Sequence, residues 1–220
     1  MNKFFSILTI ALIFISFTAQ ADESITLNPV TTTQIERCVP VASTNRAVEI
    51  ASITHKGADE SVGVIMKKDI PTKVFVGNDL KQVISDSVRN ALTKCGYKLT
   101  KSPTSLKLHV IVDDFFTKSK NEGVVGKDKA TMSMKINIKV PGQSQDYTVI
   151  YGAEKEVKVP PFAKAKRFQK LLNAILVDVV NQVAMSETLS AQVASLSKPI
   201  TDVEVSGVHN PVVDESTIDN

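Results

Sequence analysis

Few residues in this sequence have the types and spacing that metal binding requires. A transition-metal site needs several histidine, cysteine or carboxylate ligands, and these usually occur as closely spaced pairs. The three histidines, His55, His109 and His209, lie far apart in the sequence. His109 also alternates with apolar residues from Leu106 to Val112, which is typical of a histidine on the surface of a strand. The sequence therefore indicates no metal site and no bound cofactor.

Acid–base and nucleophilic catalysis are not favoured either. The adjacent carboxylates Asp113 and Asp114 could in principle move protons, but they are expected to face solvent or a lysine at the end of a strand. The sequence contains no G-x-S-x-G elbow, P-loop or dinucleotide-binding glycine pattern. A cysteine nucleophile would need a histidine beside Cys38 or Cys95, and no pattern places one there. We predict no catalytic residues and no enzyme activity.

Cys38 and Cys95 are the only two cysteines. In an oxidising compartment, an even number of cysteines indicates a disulfide. Cys95, however, falls on the apolar face of a predicted helix, where a free thiol packs as a small hydrophobic group. The sequence leaves a Cys38–Cys95 disulfide and two unbridged cysteines as alternatives.

The first 21 residues have the parts of a cleavable secretory signal peptide. Lys3 is their only charge, a mostly apolar run covers Phe4 to Phe17, and Ala19-Gln20-Ala21 precedes Asp22. A transmembrane helix needs roughly 20 apolar residues, so this shorter run favours cleavage over anchoring. No later stretch is long and apolar enough to span a bilayer. We expect an exported, periplasmic protein, peripheral to the outer membrane if it contacts a membrane at all.

The first predicted helix covers Asp79–Cys95. Asn78 or Asp79 can accept hydrogen bonds from its first N–H groups, and Gly96 ends it because glycine tolerates the left-handed conformation after a helix. Three- and four-residue spacing of apolar residues predicts one buried stripe. Its members are Leu80, Ile84, Val88, Ala91, Leu92 and Cys95.

The second predicted helix covers Ala163–Ala184 and follows Pro160-Pro161. It has a basic first turn and is expected to fray toward Ser195. Its buried stripe is predicted to contain Phe168, Leu171, Leu172, Ile175, Leu176, Val179 and Val183.

The remaining regular structure is predicted to be β. Before the first helix, the strand candidates are Ala47–His55, Gly63–Lys68 and Lys73–Val76. After it, apolar and polar residues alternate in Leu106–Val112, Met132–Val140 and Tyr147–Tyr151. The connection 118–129, which contains two glycines, is predicted to be a hairpin loop.

The order of these elements predicts an α+β fold. Strict alternation gives a strand one buried face and one wet face, which favours an antiparallel sheet. Helices with a single apolar stripe must bury it against that sheet. We predict a two-layer domain with a mainly antiparallel sheet and two amphipathic helices packed on one face.

The chain is predicted to have four parts. A signal peptide (1–21) precedes an extended N-terminal arm (22–45), an α+β domain (46–195) and a disordered acidic tail (196–220). From Pro199 onward the chain has five acidic residues and no lysine or arginine, and it has no apolar periodicity, so little can be buried there. The candidate interaction residues of the tail are Asp202, Glu204, Asp214 and Glu215.

Several short patterns resemble the YajG family of bacterial envelope lipoproteins. They are Asp79-Leu80, Val88-Arg89-Asn90-Ala91-Leu92, Gly96-Tyr97, the strand segments 106–110, 132–136 and 147–151, and Asn173-Ala174 with Asp178 in the last helix. The resemblance covers residues 74 to about 193. It implies an α+β fold in the cell envelope, with no recognised catalytic residues to transfer. This chain lacks the lipidated cysteine of the family and adds the arm and the tail.

These features lead us to expect a non-enzymatic periplasmic protein–protein interaction module. It would act in the assembly or stabilisation of an outer-membrane-associated complex, for instance as an accessory subunit of a secretion or surface-organelle machine. Its partners would be envelope proteins, or a second copy of itself. Nucleic acid is not expected, because an exported chain with no tryptophan and three tyrosines lacks aromatic stacking platforms.

The alternative function is a carrier that holds a lipid or another apolar ligand between the helices and the sheet. Met132 and Met134 lie on the predicted inner face, and methionine side chains adapt to irregular ligands. A cavity beside these two residues would favour this alternative, whereas a tightly packed core would favour the interaction module.

We predict that the mature protein begins at Asp22, because signal peptidase cleaves after an A-x-A pattern. Intact-mass measurement of the protein recovered from the periplasm tests this. A mass that still includes residues 1–21 would contradict the prediction of cleavage.

Overall fold

A computed structural model describes residues 22–29, 38, 47–57, 61–67, 70–122, 125–160 and 164–196. Eight strands and three helices lie within these ranges. In chain order they are β1 (Glu23–Ile25), β2 (Ala47–His55), β3 (Ser61–Lys67), β4 (Ile70–Val76), α1 (Leu80–Lys94), β5 (Lys98–Leu99), β6 (Leu106–Glu122), β7 (Val125–Lys139), β8 (Asp146–Val159), α2 (Ala165–Ala184) and α3 (Glu187–Ser195).

The strands form one mixed sheet around β6. On one edge, β6 pairs in parallel with β2 along its first half and then with β3 at Thr117 and Lys118. On its other edge it pairs antiparallel with β7, which pairs antiparallel with β8. The sheet continues from β3 through β4 to β1, and from β2 to β5.

The predicted α+β class is confirmed, but the sheet contains more parallel pairing than expected. Strands β2 and β3 run parallel to β6 because a crossover that contains α1 separates them from β6. Parallel neighbours need such a crossover, whereas a tight turn joins antiparallel ones. Alternation within a strand reveals its wet face but not the direction of its neighbour, so this feature was not predictable from the pattern.

The prediction of a loop over 118–129 is wrong, because β6 and β7 pair without a break as far as Glu122 and Val125. The inward-facing residues in this part are small or polar rather than apolar. They are Thr117, Ser119, Asp128 and Ala130. The apolar alternation therefore stops, although the strands continue.

Local hydrogen bonds determine the helix ends. Asp79 accepts from the N–H groups of Lys81 and Gln82 at 2.9 and 3.1 Å, and Gly96 follows α1 with φ of 80°. The predicted single second helix is instead two helices. The Ser186 side chain accepts from the N–H of Leu189 at 3.2 Å and caps α3, so the chain turns between α2 and α3 rather than fraying.

The helices bury the inner face of the sheet in one continuous core. Within the predicted stripes, Ile84, Val88 and Leu92 of α1 and Phe168, Ile175 and Val179 of α2 are fully buried. They pack with the inward-facing residues of β6 and β7, which are Leu106, Leu108, Val110, Val112, Met132, Met134, Ile136 and Ile138.

The first described residues belong to the domain rather than to an arm outside it. Strand β1 pairs in parallel with Val74–Val76 of β4, and Ile25 and Leu27 are buried. The Asn78 side chain bonds both the N–H and the C=O of Leu27, at 3.1 and 2.9 Å. The segment joins the fold because its two apolar residues alternate with polar ones and reach the core edge.

Cys38 and Cys95 are joined in a disulfide, with Cα atoms 5.2 Å apart. Cys95 follows α1 and is 5% exposed, so it also packs as a core residue. The bridge ties the segment before β2 to the C-terminal end of α1. The rest of the predicted arm, 30–37 and 39–45, lies outside the described residues.

We predict that Ile84→Ala and Ile175→Ala each lower the free energy of unfolding by about 2–5 kcal/mol, because each leaves a cavity in the core. Both side chains are 0% exposed. Chemical denaturation of each variant measures the loss. Ile150, which is 65% exposed, provides the control, and Ile150→Ala should change the stability by less than about 0.5 kcal/mol. A similar loss for all three variants would contradict the assigned core.

Candidate functional site

The side chains with potential catalytic chemistry are engaged in surface contacts. His109 Nδ1 lies 2.9 Å from the Ser52 hydroxyl on the outer face of the sheet. Asp114 accepts from the Thr131 hydroxyl at 2.6 Å. Within the described ranges, no group of three or more histidine, cysteine, aspartate and glutamate side chains could hold a metal ion.

Asp113 lies at a β-bulge where β2 leaves β6. The β6–β7 register shifts between Val112 and Asp114, the N–H of Lys56 donates to the C=O of Val112 at 3.0 Å, and Lys56 Nζ lies 2.7 Å from Asp113 Oδ1. The hydrogen bond from Lys56 lowers the pKa of Asp113 against an opposing effect of desolvation, and the charges of Lys56 and Lys135 lower it further. The ion pair therefore stabilises the chain where β2 ends, and we assign no proton-transfer role to Asp113.

The sheet face opposite the helices is open, because no described element covers β6, β7 and β8 on that side. We call this surface the lysine face. The β6–β7 register places three pairs of lysines directly opposite each other: Lys107 with Lys139, Lys118 with Lys129, and Lys120 with Lys127. Like charges directly opposite each other destabilise a sheet.

Strand β8 neutralises only part of the lysine face. Lys129 Nζ lies 2.6 Å from Glu154 and Lys127 Nζ lies 3.5 Å from Glu156. Among the described residues, Lys107, Lys118 and Lys139 form no ion pair with a carboxylate. The β6 lysines Lys107 and Lys118 therefore have no carboxylate partner within the described ranges, whereas Lys139 of β7 lies directly opposite Asp146 of β8.

A buried ion pair supports this face from the other side of the sheet. Asp128 of β7 is 0% exposed, and its Oδ2 accepts from Arg167 Nε of α2 at 2.9 Å. Its Oδ1 accepts from the Ser119 hydroxyl of β6. Asp128 therefore fastens the far half of the β6–β7 hairpin to the first turn of α2, and its enclosure leaves no room for a substrate.

A groove runs between α1 and β2, which we call the α1–β2 groove. It consists of three adjoining depressions of about 350, 240 and 350 Å³. One end lies at His55 and Leu80, the middle at Ile50, Ile53 and the exposed side of α1, and the other end at Leu99–Lys101.

The four acidic residues predicted for interaction, Asp202, Glu204, Asp214 and Glu215, lie outside the described residues. The sequence reasoning missed the lysine face. Its signal was present, because Lys107, Lys135 and Lys139 alternate with buried residues and so share one face. The facing of lysines across strands depends on register, which alternation does not determine.

We predict that Arg167→Ala lowers the free energy of unfolding by about 3 kcal/mol, because it leaves a buried carboxylate without its counter-charge. Denaturant unfolding measures the change. Lys166→Ala is the matched control, since Lys166 is the exposed neighbour in the same helical turn, and it should change stability by less than about 0.5 kcal/mol. Equal effects of the two substitutions would contradict the structural role of the Asp128–Arg167 pair.

The solved structures that are similar to this chain include two bacterial lipoproteins. The rare lipoprotein B from Shewanella oneidensis is 10% identical, with 64% of this chain and 96% of that chain covered and a TM-score of 0.41. A minor lipoprotein from Acinetobacter baumannii is 10% identical, with 66% and 90% covered and a TM-score of 0.34. The sequence matches no curated protein. Within the described ranges, no helix has the length and apolar character needed to cross a membrane.

One family model matches residues 34–193, and its description is "uncharacterized lipoprotein". This match covers well over half of the chain and includes the whole stretch on which the YajG resemblance depends. The family is one of bacterial envelope lipoproteins and is not a known enzyme family. The chain therefore belongs to the YajG-like family of uncharacterized bacterial lipoproteins.

Proposed function

We propose that this protein is a non-enzymatic periplasmic interaction module that assembles or stabilises an outer-membrane-associated complex through its lysine face. The observation that carries the proposal is the arrangement of like-charged lysines on an open, rigid sheet face. Membership of an envelope lipoprotein family supports the compartment. In its most specific form, the proposal is that the protein is an accessory subunit of a secretion or surface-organelle machine.

The lysine face favours a partner with an acidic surface. Lys107 and Lys139 lie opposite each other, so a carboxylate placed between them would replace a repulsion with two attractions. Hydrogen bonding to β2 or β3 on one side and to β7 on the other keeps β6 in place. The sheet is therefore ordered before binding, and the entropic cost of association is small.

Apolar side chains on the same surface give a partner something to bury. Ile150 of β8 is 65% exposed and lies opposite Lys135 of β7. Phe116 of β6 lies half-buried on the same side, opposite Thr131. Interfaces combine a buried apolar or aromatic centre with a polar rim. These residues fit such a centre, with the lysines as the rim.

The packing of the core supports an interaction module over the apolar-ligand carrier. Met134 is 0% and Met132 is 2% exposed, so even a water molecule has almost no access to them. A carrier would need space beside these side chains on the inner face. The described depressions lie instead at the surface, between α1 and β2.

We predict that the double variant Lys107→Glu/Lys139→Glu loses its envelope partner. Tagged wild-type protein is cross-linked in cells, purified from envelope extracts, and its partners are quantified by mass spectrometry. A partner that depends on the lysine face should be recovered at least about tenfold less with the variant, which corresponds to about 1.4 kcal/mol of binding energy.

The matched control is Lys166→Glu/Lys170→Glu, which makes the same charge change on the exposed side of α2. It should retain the partner. Unchanged recovery of the partner with the lysine-face variant would exclude this face as the interface. Equal loss of the partner in both variants would show that net charge, and not the lysine face, determines binding. Thermal unfolding of each variant checks that the fold is intact.

A further inference from the structure

We propose that one end of the sheet, where the β3–β4 and β6–β7 pairings both stop, docks on an anionic lipid surface. We call it the hairpin-tip end. Its described residues are Met66, Ile70, Val125 and Val157, with Lys118, Lys120, Lys127 and Lys158. It lies at the opposite end of β6 from Lys107, and the proposal does not depend on the proposed function. Its apolar side chains insert among the lipid headgroups, and its lysines lie beside the phosphates.

The ends of five strands lie at one level. Strand β3 runs parallel to β6, with Val64 beside Lys118. The β3–β4 pairing ends three residues beyond Val64, at Ile70, and the β6–β7 pairing ends four residues beyond Lys118, at Val125. The last residue of β8 pairs with Gly126. At about 3.3 Å per residue and 4.8 Å per strand, these ends form one row about 19 Å wide.

Exposed apolar side chains cluster at this row. Among the described residues, the most exposed large apolar side chains are Ile150, Ile70, Val125, Met66 and Val157, in that order. All of them except Ile150 belong to the hairpin-tip end. Single exposed apolar residues are normal on a protein surface, but a cluster of them marks an interaction site.

The apolar side chains lie on both faces of the sheet. Ile70 alternates in step with Thr72, which is buried under the helices. Val125 alternates in step with Lys127, on the opposite face. A folded partner protein would cover one of these faces, whereas a fluid lipid layer surrounds an inserted tip on both sides. This arrangement favours a lipid surface over a protein surface.

Three lysines lie in line across the strands behind the tips. Lys120 pairs with Lys127 of β7, and Lys127 pairs with Lys158 of β8. Like charges opposite each other destabilise a sheet, and Glu156 lies 3.5 Å from Lys127 alone of the three. The row is two residues, or about 7 Å, from Val125. Lysine side chains at this depth extend their charged ends to lipid phosphates and bury their apolar stems.

The positive charge of the molecule is concentrated at this end. The described residues of segments 61–73, 116–130 and 154–167 include eleven lysines and arginines but four aspartates and glutamates. The last segment reaches this end because Arg167 bonds Asp128. These segments have an excess of seven positive charges, and the whole chain has a net charge of +3, so the rest of the chain is net negative. An anionic surface therefore attracts this end first.

The first test is co-sedimentation of the mature protein with lipid vesicles. Vesicles of phosphatidylglycerol and phosphatidylethanolamine in equal parts should bind it. Vesicles of phosphatidylcholine, which carry no net charge, should bind it at least about tenfold more weakly, because each lysine near an anionic surface raises the affinity about fivefold. Equal binding to the two kinds of vesicle, or binding to neither, would overturn the proposal.

The second test removes the apolar tips. Ile70→Ser/Val125→Ser should bind the anionic vesicles at least about tenfold more weakly, because less apolar surface enters the lipid layer. Ile150→Ser is the matched control, since Ile150 is also exposed but lies nine residues, or about 30 Å, from the end of β8. Equal weakening in the two proteins would overturn the assignment to this end. Thermal unfolding of each variant checks that the fold is intact.

The third test reverses the charge of the lysine row. Lys120→Glu/Lys158→Glu should weaken binding to the anionic vesicles at least about twentyfold, at about fivefold for each lysine. Lys81→Glu/Arg89→Glu makes the same charge change beside the α1–β2 groove and should weaken binding much less. Equal weakening would show that net charge alone determines binding and would overturn the assigned orientation.

A single introduced tryptophan tests insertion directly, because the chain contains none. The fluorescence of Val125→Trp should shift to shorter wavelength when anionic vesicles are added, since the indole leaves water. Ile150→Trp is the control and should show no shift. A Val125→Trp protein that sediments with the vesicles but shows no shift would be held by charge alone, and this result would overturn insertion of the tips.

Discussion

Burying one face of β6 and β7 beneath α1 and α2 constrains every second residue of these strands. Leu108, Val110, Met134 and Ile136 face the helices and are essentially inaccessible. Because successive side chains of a strand point to opposite faces, the residues between them must accept water. The lysine face is a consequence of this one-sided burial. Its polarity follows from the core, but its excess of positive charge does not, and that excess is what we associate with function.

The apolar core ends before the β6–β7 hairpin does. Beyond that point, a polar contact to α2 holds the inner face of the hairpin against the helix. Beyond Met132, the inward-facing positions are Ala130 and Asp128. The carboxylate of Asp128 is stabilised by Arg167 and Ser119, because a buried charge without partners would be very costly. This contact holds the far half of the hairpin, and with it Lys118 and Lys129, in the same sheet plane as the rest. The far half of the lysine face is therefore held both by the backbone pairing of β6, β7 and β8 and by this ion pair.

The sequence predicted the helices and most strands well, but it predicted the pairing of the strands in the sheet less well. Three- and four-residue spacing found α1 and α2, because Ile84 and Ile175 repeat the period of a helix whatever lies opposite. The continuation of β6 and β7 through residues 118–129 could not be predicted, since its inward-facing residues Thr117 and Asp128 lack the apolar signal. The lysines of the candidate site were visible as alternating polar positions. Their facing pairs depend on the β6–β7 register, and the parallel neighbours of β6 depend on a crossover; neither leaves a trace in one strand's pattern.

The lysine face presents its charge on a sheet whose central strand is already paired. Strand β6 has neighbours on both edges, so the lysine face presents charge without free backbone groups. Attraction between exposed charges is screened over about 10 Å at 0.1 M salt. A partner of the lysine face must therefore add apolar contact, which Ile150 and Phe116 offer, to the attraction of the lysines.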